Sequence, residues 1–274
     1  MKPVLLAAVV TPMRDGGEAV DEEAIKPLVD YLEDGGCDGL FIAGTAGEGL
    51  LLGHDERKRV AELFCGAARG RRLVHVGSQT TAATVDLARH AAELGADGVA
   101  VIPPPYYPLP EEALIAHLVA AGQACAPTPF FIYAFASRSG YPLTPEVVEA
   151  VAERLDNLKG MKVSEPTLEL AAPFLGLGLE ILIGADPIVP AALTAGAAGA
   201  ASALAGALPR EVRAIIDDPG PNAAQELTDL RSDIIVDGDL IPSIKAELGR
   251  RGLPVRADVR RPLRAVGHDR AGLA

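Results

Sequence analysis

Tryptophan is missing from the 274-residue chain, and aromatic residues make up only 4% of it. Hydrophobic residues still make up 49% and charged residues 23%, a globular balance that excludes a disordered or fibrous chain. Positive charge is also scarce: 25 Lys and Arg stand against 37 Asp and Glu, a formal charge of −12. A surface this acidic repels phosphate, which argues against a nucleic-acid partner and for small-molecule chemistry. The three cysteines, Cys37, Cys65 and Cys125, are far apart and show no C-x-x-C spacing, so they read as buried small hydrophobes rather than a metal or redox pair. The five histidines form no H-x-x-x-H or H-E-x-x-H pattern, and no metal site is expected. Long apolar runs are lacking too. The stretch Val4–Val10 near the N-terminus is too short for a membrane span and has no small-residue cleavage site behind it, so the expectation is a cytoplasmic protein with no membrane contact.

What the chain does have is a repeating unit. Short apolar runs alternate with amphipathic stretches of helical spacing, the pattern of βα units around a parallel sheet. Eight runs qualify as strands: Val4–Val10, Gly39–Gly44, Leu73–Ser78, Gly98–Pro104, Phe130–Phe135, Leu158–Ser164, Glu180–Asp186 and Gly199–Ala205. Eight is the number that closes a (β/α)8 TIM barrel, and 274 residues is an ordinary size for one. The helix after the first strand should bury Ile25, Leu28, Val29 and Leu32. "TPEV" places Thr144 as an N-cap with Pro145 at the first helical position. After Leu208 the alternation stops, so residues 1–216 read as the barrel and 217–274 as a small helical C-terminal extension packed on it.

In such a barrel the C-terminal strand ends carry the chemistry. The sixth strand contains two lysines. Side chains alternate faces along a strand, so Lys159 and Lys162 point to opposite sides. Lys159, at the entrance, can carry its ammonium out to water. Lys162 lies deeper, flanked by Met161 and Val163 and on the same face as Gly160, whose missing side chain should leave room above the core. Desolvation there favours the neutral amine, the nucleophile that condenses with a ketone to form a Schiff base. The alternatives for this lysine are escape to solvent or pairing with a carboxylate. Tyr133, near the end of the neighbouring fifth strand, could reach the amine and shuttle protons, or could simply pack with its hydroxyl wet. "GTAGEG", Gly44 to Gly49, is a glycine-rich strand exit whose backbone amides can cradle an anion or form a plain turn.

Taken together, "GTAGE" after strand two, "PPPYY" after strand four, "IYAFASRSG" at strand five and "LKGMKVSE" at strand six resemble, in order and spacing, the dihydrodipicolinate synthase and N-acetylneuraminate lyase family. The likeness runs from "VVTPM" through "GAASALAGALP" to "IPSIKAELGRRGLP". It implies a class I aldolase that handles pyruvate or another 2-oxo acid together with an aldehyde. It also implies no cofactor beyond the lysine imine, and a homo-oligomer, a tetramer built from tight dimers. By position, Lys162 would be the Schiff-base lysine and Tyr133 the proton shuttle. Thr45 would relay protons between Tyr133 and Tyr107, the latter crossing into a neighbouring subunit's site. The backbone of Thr45 and Ala46 would hold the pyruvate carboxylate, Arg138 would bind the carboxylate of the incoming aldehyde, and Gly184 and Ala201 would complete the substrate-binding positions.

Two departures bear on substrate. The family's second threonine is Ala46 here. The run Tyr133 to Gly140 lacks the asparagine, proline and first glycine of the synthase pattern Tyr-Asn-Val-Pro-Gly-Arg-Thr-Gly. The resemblance therefore puts 4-hydroxy-tetrahydrodipicolinate synthase narrowly first. Aldolases or dehydratases of 2-oxo-3-deoxy sugar acids and hydroxy-2-oxo acids are the alternative. A barrel that binds a 2-oxo acid without turning it over is a reading of another class. A phosphate-binding barrel is disfavoured, because "GADP" and "ALAGALP" at strands seven and eight lack its glycine-rich pattern.

Overall fold

The computed structural model describes residues 2–236 and 238–266. Eight parallel strands form a closed barrel in chain order, the first pairing with both the second and the eighth. They span Val4–Ala8, Gly39–Ile42, Arg71–His75, Gly98–Val101, Phe130–Ala134, Leu158–Val163, Glu180–Ile183 and Gly199–Ser202. This is the (β/α)8 fold expected. Period-two alternation divides its apolar residues into two groups. Leu6, Phe41, Leu73, Ala100, Phe131, Tyr133, Leu182 and Ala201 fill the barrel interior. Their strand neighbours Leu5, Leu40, Val74, Val99, Ile132, Met161 and Ile181 pack outward against the helices.

All eight strands end one to three residues earlier than the apolar runs imply. Val9 and Val10 stay buried after the first ladder stops at Ala8, so hydrophobicity continues where pairing does not. The second strand ends at Ile42 because Ala43 turns into the left-handed region, with φ 53°. The third strand starts earlier than expected, at two arginines. Arg71 pairs with Glu180 and lies over the Phe131 ring at 5.2 Å, so its charge is matched at the barrel's N-terminal end.

The helices follow the expected design. Ile25–Asp34 buries Ile25, Leu28, Val29 and Leu32. The Thr144 hydroxyl accepts the Val147 amide at 3.4 Å, capping the helix Pro145–Ala152. All three cysteines are free and buried, and burial pushes the Cys37 thiol up to about 12. Helix Pro209–Asp217 is followed by Ala223–Ile234 and Leu240–Arg250, which pack on the barrel. Of the extension expected at 217–274, residue 237 and residues 267–274 lie outside the described residues, as does Met1 at the other end.

Candidate functional site

Strand alternation resolves the two lysines as expected. Lys159 is exposed, its Nζ donating to the Asp156 carbonyl at 3.0 Å, while Lys162 is 4% exposed inside the barrel. The fifth and sixth strands pair Tyr133 with Lys162 in register. This adjacency brings the Lys162 amine to the Tyr133 hydroxyl at 3.2 Å, and that hydroxyl lies 3.4 Å from Thr45 Oγ1. The amine also sits 4.4 Å from the Phe41 ring centre and 4.2 Å from that of Tyr133. Both rings thus pack against the amine inside the barrel. One expectation is corrected. Gly160 does not leave an open space: a methyl group there would come within 2.3 Å of the Phe131 ring, so the glycine admits that ring beneath the lysine.

The strand-two exit is a tight turn between two non-glycine residues of positive φ, Ala43 and Glu48. The Thr11 hydroxyl donates to the Gly47 carbonyl at 2.7 Å, and the amides of Glu48 and Gly49 close back on Thr45 and Gly44 at 3.1 Å each. The amides of Thr45 and Ala46 find no acceptor among the described residues, which leaves two adjacent donors on the residue whose hydroxyl meets Tyr133 and on its neighbour. Adjacent unpaired amides of this kind are donors that a small anion can use. Ala46 is buried within the barrel-interior cluster.

Gly184 sits against the lysine. A methyl group there would lie 2.0 Å from Ser164 Oγ and 2.9 Å from Lys162 Cε, so only glycine leaves the amine its position. Ala201 lies lower, fully buried among the interior side chains rather than on the rim. Arg138 rides on a short helical turn, Ala136–Ser139. Glu165 accepts the Ala136 amide at 2.9 Å, and Ser139 donates to the Tyr141 carbonyl at 2.6 Å. The Arg138 guanidinium lies 5.8 Å over the Phe135 ring and faces a cavity of about 230 Å³ shared with Thr45, Glu48 and His75. Tyr107 is not part of this cluster within one chain. It stands 70% exposed against Tyr106, with the two rings edge to face at 4.7 Å.

Sequence reading missed four contributors. His75 ends the third strand inside the barrel, its ring edge-on to Tyr133 at 5.9 Å. Its Nδ1 donates to the Ala43 carbonyl at 3.1 Å, since a carbonyl only accepts. Burial, with the nearby Arg57 charge, pushes the imidazole down to about 3, so the ring is neutral. Arg57 holds the carbonyls of His75 and Gly77 at 3.0 and 2.8 Å, and burial lowers it to about 10. No spacing among the scattered histidines marked His75. Its inward parity in "RRLVH", two residues after Leu73, was the available signal. The other contributors are Ile241 and Leu263, which line the same cavity from the C-terminal extension.

A larger cleft of about 1070 Å³ lies along Asp21, Glu22, Glu23 and Arg256, away from these groups. Chemistry rather than size selects the site. The fold and its interior define a (β/α)8 barrel with a buried lysine, a tyrosine in contact with it and a threonine beyond that tyrosine. More particularly, the dihydrodipicolinate synthetase family model matches residues 3–271, and the chain belongs to that family. It is 35% identical over 217 residues to a 4-hydroxy-tetrahydrodipicolinate synthase of Pelobacter propionicus, covering 77% of this chain and 73% of the relative. It is also 33% identical over 206 residues to an N-acetylneuraminate lyase of Mus musculus, covering 72% of this chain and 64% of the relative. Among solved structures, the prophage protein YagE from E. coli K12 in complex with pyruvate superposes with a TM-score of 0.90. Its sequence identity is 25%, and the match covers 97% of this chain and 94% of that one.

Proposed function

We propose that this protein is a Schiff-base lyase that joins pyruvate, or a related 2-oxo acid, to an aldehyde, with 4-hydroxy-tetrahydrodipicolinate synthesis as the leading reaction. The observation that carries this reading is the chain of contacts from Lys162 through the Tyr133 hydroxyl to Thr45, set beside the free amides of Thr45 and Ala46. The 2-oxo carboxylate is held by those amides, placing its keto carbon at the Lys162 amine. The amine attacks the carbon, and Tyr133 delivers a proton to the developing alkoxide. The carbinolamine then loses water to leave the imine. The imine withdraws electrons, so a proton leaves the adjacent methyl group and an enamine forms. The enamine carbon attacks the aldehyde carbonyl, whose oxygen is protonated, and the new C–C bond is made. In the synthase reaction, cyclisation follows. The imine is itself the electron sink, so no metal or cofactor is required.

Arg138 is the group for a carboxylate on the incoming aldehyde, because its planar guanidinium can bind both oxygens at once. Tyr107, exposed beside Tyr106, fits a residue that completes a neighbouring subunit's site in a homotetramer of tight dimers. Free, buried cysteines fit a reducing, cytoplasmic setting.

A second reading rests on specific residues. Ala46 and Ala134 carry no hydroxyl or amide where the synthase pattern has threonine and asparagine. These changes favour an aldolase or dehydratase of a 2-oxo-3-deoxy sugar acid or hydroxy-2-oxo acid, using the same lysine.

Intact mass after incubation with pyruvate and sodium borohydride, beside Lys162→Ala, tests the shared step. A pyruvate-sized adduct present in the wild type and lost in the variant is expected. A folded wild type that traps no 2-oxo acid removes the mechanism and leaves a non-catalytic binding barrel. An aldehyde screen, with aspartate semialdehyde beside sugar-derived aldehydes, separates the two catalytic readings.

A further inference from the structure

Glu48 and Lys245 are 197 residues apart in the chain, yet they form an ion pair in which neither side chain is exposed at all. Every other ion pair among the described residues keeps some exposure. Lys245 comes from the helix Leu240–Arg250, and its Nζ also donates to the Asp258 carbonyl at 2.7 Å. The second oxygen of Glu48 accepts the Arg260 amide at 2.6 Å. Two groups of the C-terminal extension, the Lys245 ammonium and the Arg260 amide, are thereby locked to the one carboxylate of the strand-two turn. A buried pair of this kind is a poor source of stability, because desolvating two charges offsets their attraction, and an apolar pair would serve as well. Its value lies in fixing one geometry.

The geometry concerned is that of the turn. Glu48 has φ 57°, a left-handed conformation that a side chain adopts only when its surroundings impose it. Its amide closes on the Thr45 carbonyl at 3.1 Å, so the orientation of Glu48 is coupled directly to the Thr45–Ala46 peptides. Gly49 follows in close contact: a methyl group there would lie 1.9 Å from the Ala43 carbonyl oxygen, leaving the turn no slack. The extension is thus fastened to the backbone that presents the two free amides.

We propose that Lys245 is a positioning residue for the carboxylate seat, acting through Glu48 to hold the Thr45 and Ala46 amides at the angle that receives a 2-oxo acid. The proposal rests on the Schiff-base reading above for the ligand it names. It makes the C-terminal extension a working part of the site.

The test compares wild type, Lys245→Met, Lys245→Arg and the double variant Glu48→Gln/Lys245→Met. In the double variant no charge is buried alone, and the glutamine carbonyl still accepts the Arg260 amide. Borohydride trapping is measured against concentration for pyruvate and for methyl pyruvate, which has the ketone but no carboxylate. For Lys245→Met, and for the double variant if the single one does not fold, the half-saturating pyruvate concentration should rise about tenfold or more. The maximal trapping rate and the methyl pyruvate curve should stay near wild type, and Lys245→Arg should recover part of the pyruvate affinity. Equal shifts for both ketones, or no shift in a folded variant, overturn the proposal, since a purely structural pair would lower melting temperature without discriminating between them. Hydrogen exchange of the segment Gly44–Gly49 runs in parallel without ligand. Faster exchange there in the variants, with the barrel strands unchanged, supports the positioning role, and unchanged exchange overturns it. A wild type that traps no 2-oxo acid would defeat the lyase reading alone, and the exchange result would then decide the role of Lys245.

Discussion

Replacing Tyr133 by Phe removes one oxygen, the one that accepts from the Lys162 amine at 3.2 Å and stands 3.4 Å from the Thr45 hydroxyl. The ring remains, and with it the edge-on contacts to Phe41 at 5.6 Å and His75 at 5.9 Å. The structural cost is therefore limited to a lost hydrogen bond and an amine left without its partner, about 1–3 kcal/mol. The chemical cost is larger. Forming and dehydrating the carbinolamine both need a proton moved at a site shut off from bulk water, and a positioned acid–base group typically contributes about 10²- to 10⁴-fold. Tyr133→Phe should thus form the borohydride-trappable imine about 10²-fold more slowly, or slower still, while melting cooperatively within a few degrees of wild type. Thr45→Val, which touches the phenol only through the longer contact, should fall between the two. Single-turnover trapping followed by mass, beside thermal unfolding, measures both quantities. A folded Tyr133→Phe that traps pyruvate within about threefold of the wild-type rate would refute the proton-shuttle assignment.

Other consequences follow from packing and charge. Gly184→Ala drives a methyl group to 2.9 Å from Lys162 Cε and 2.0 Å from Ser164 Oγ, and should cost about 1–3 kcal/mol of stability and at least about tenfold in trapping rate. Trapping at the wild-type rate would show that the lysine has room to spare. His75 is held neutral because burial pushes it down to about 3. The unfolded chain protonates this group near its ordinary value of 6.5, so the stabilisation is complete above that pH and is lost as pH falls toward 3, by about 1.4 kcal/mol per unit. Denaturant unfolding at about pH 7 and about pH 4.5 should therefore show a smaller acid loss in His75→Gln than in wild type, and equal losses would contradict the buried neutral ring. Cys65 and Cys125 are pushed up to about 11 and Cys37 to about 12, so none should react with a thiol reagent at neutral pH until the chain unfolds. Stoichiometric labelling of the native protein would contradict their burial.

The barrel was legible because its signals are local. Each strand run, each helix face and the opposed directions of Lys159 and Lys162 follow from periodicities of 2 and 3.6 that need no knowledge of the rest of the chain. Strand ends were read too long, because Val9, Val10 and their counterparts are buried by helices and loops after ladder pairing has stopped. The Tyr133–Lys162 contact was anticipated because neighbouring strands in chain order are neighbours in a barrel, and register then sets them side by side. The short helical turn under Arg138 was not, because it depends on Glu165 from the next strand's exit accepting the Ala136 amide.

The amino-acid sequence by itself thus determined a (β/α)8 barrel, an inward lysine on its sixth strand and the glycine-rich turn after its second, since these depend on spacing within short segments. Only the tertiary structure decided that His75 stands edge-on to Tyr133, that Phe131 occupies the space at Gly160, and that Glu48 meets Lys245 in a place closed to water. Those contacts join residues tens to hundreds of positions apart. They exist only once the barrel closes and the extension docks, and no local pattern can encode which distant side chain will arrive.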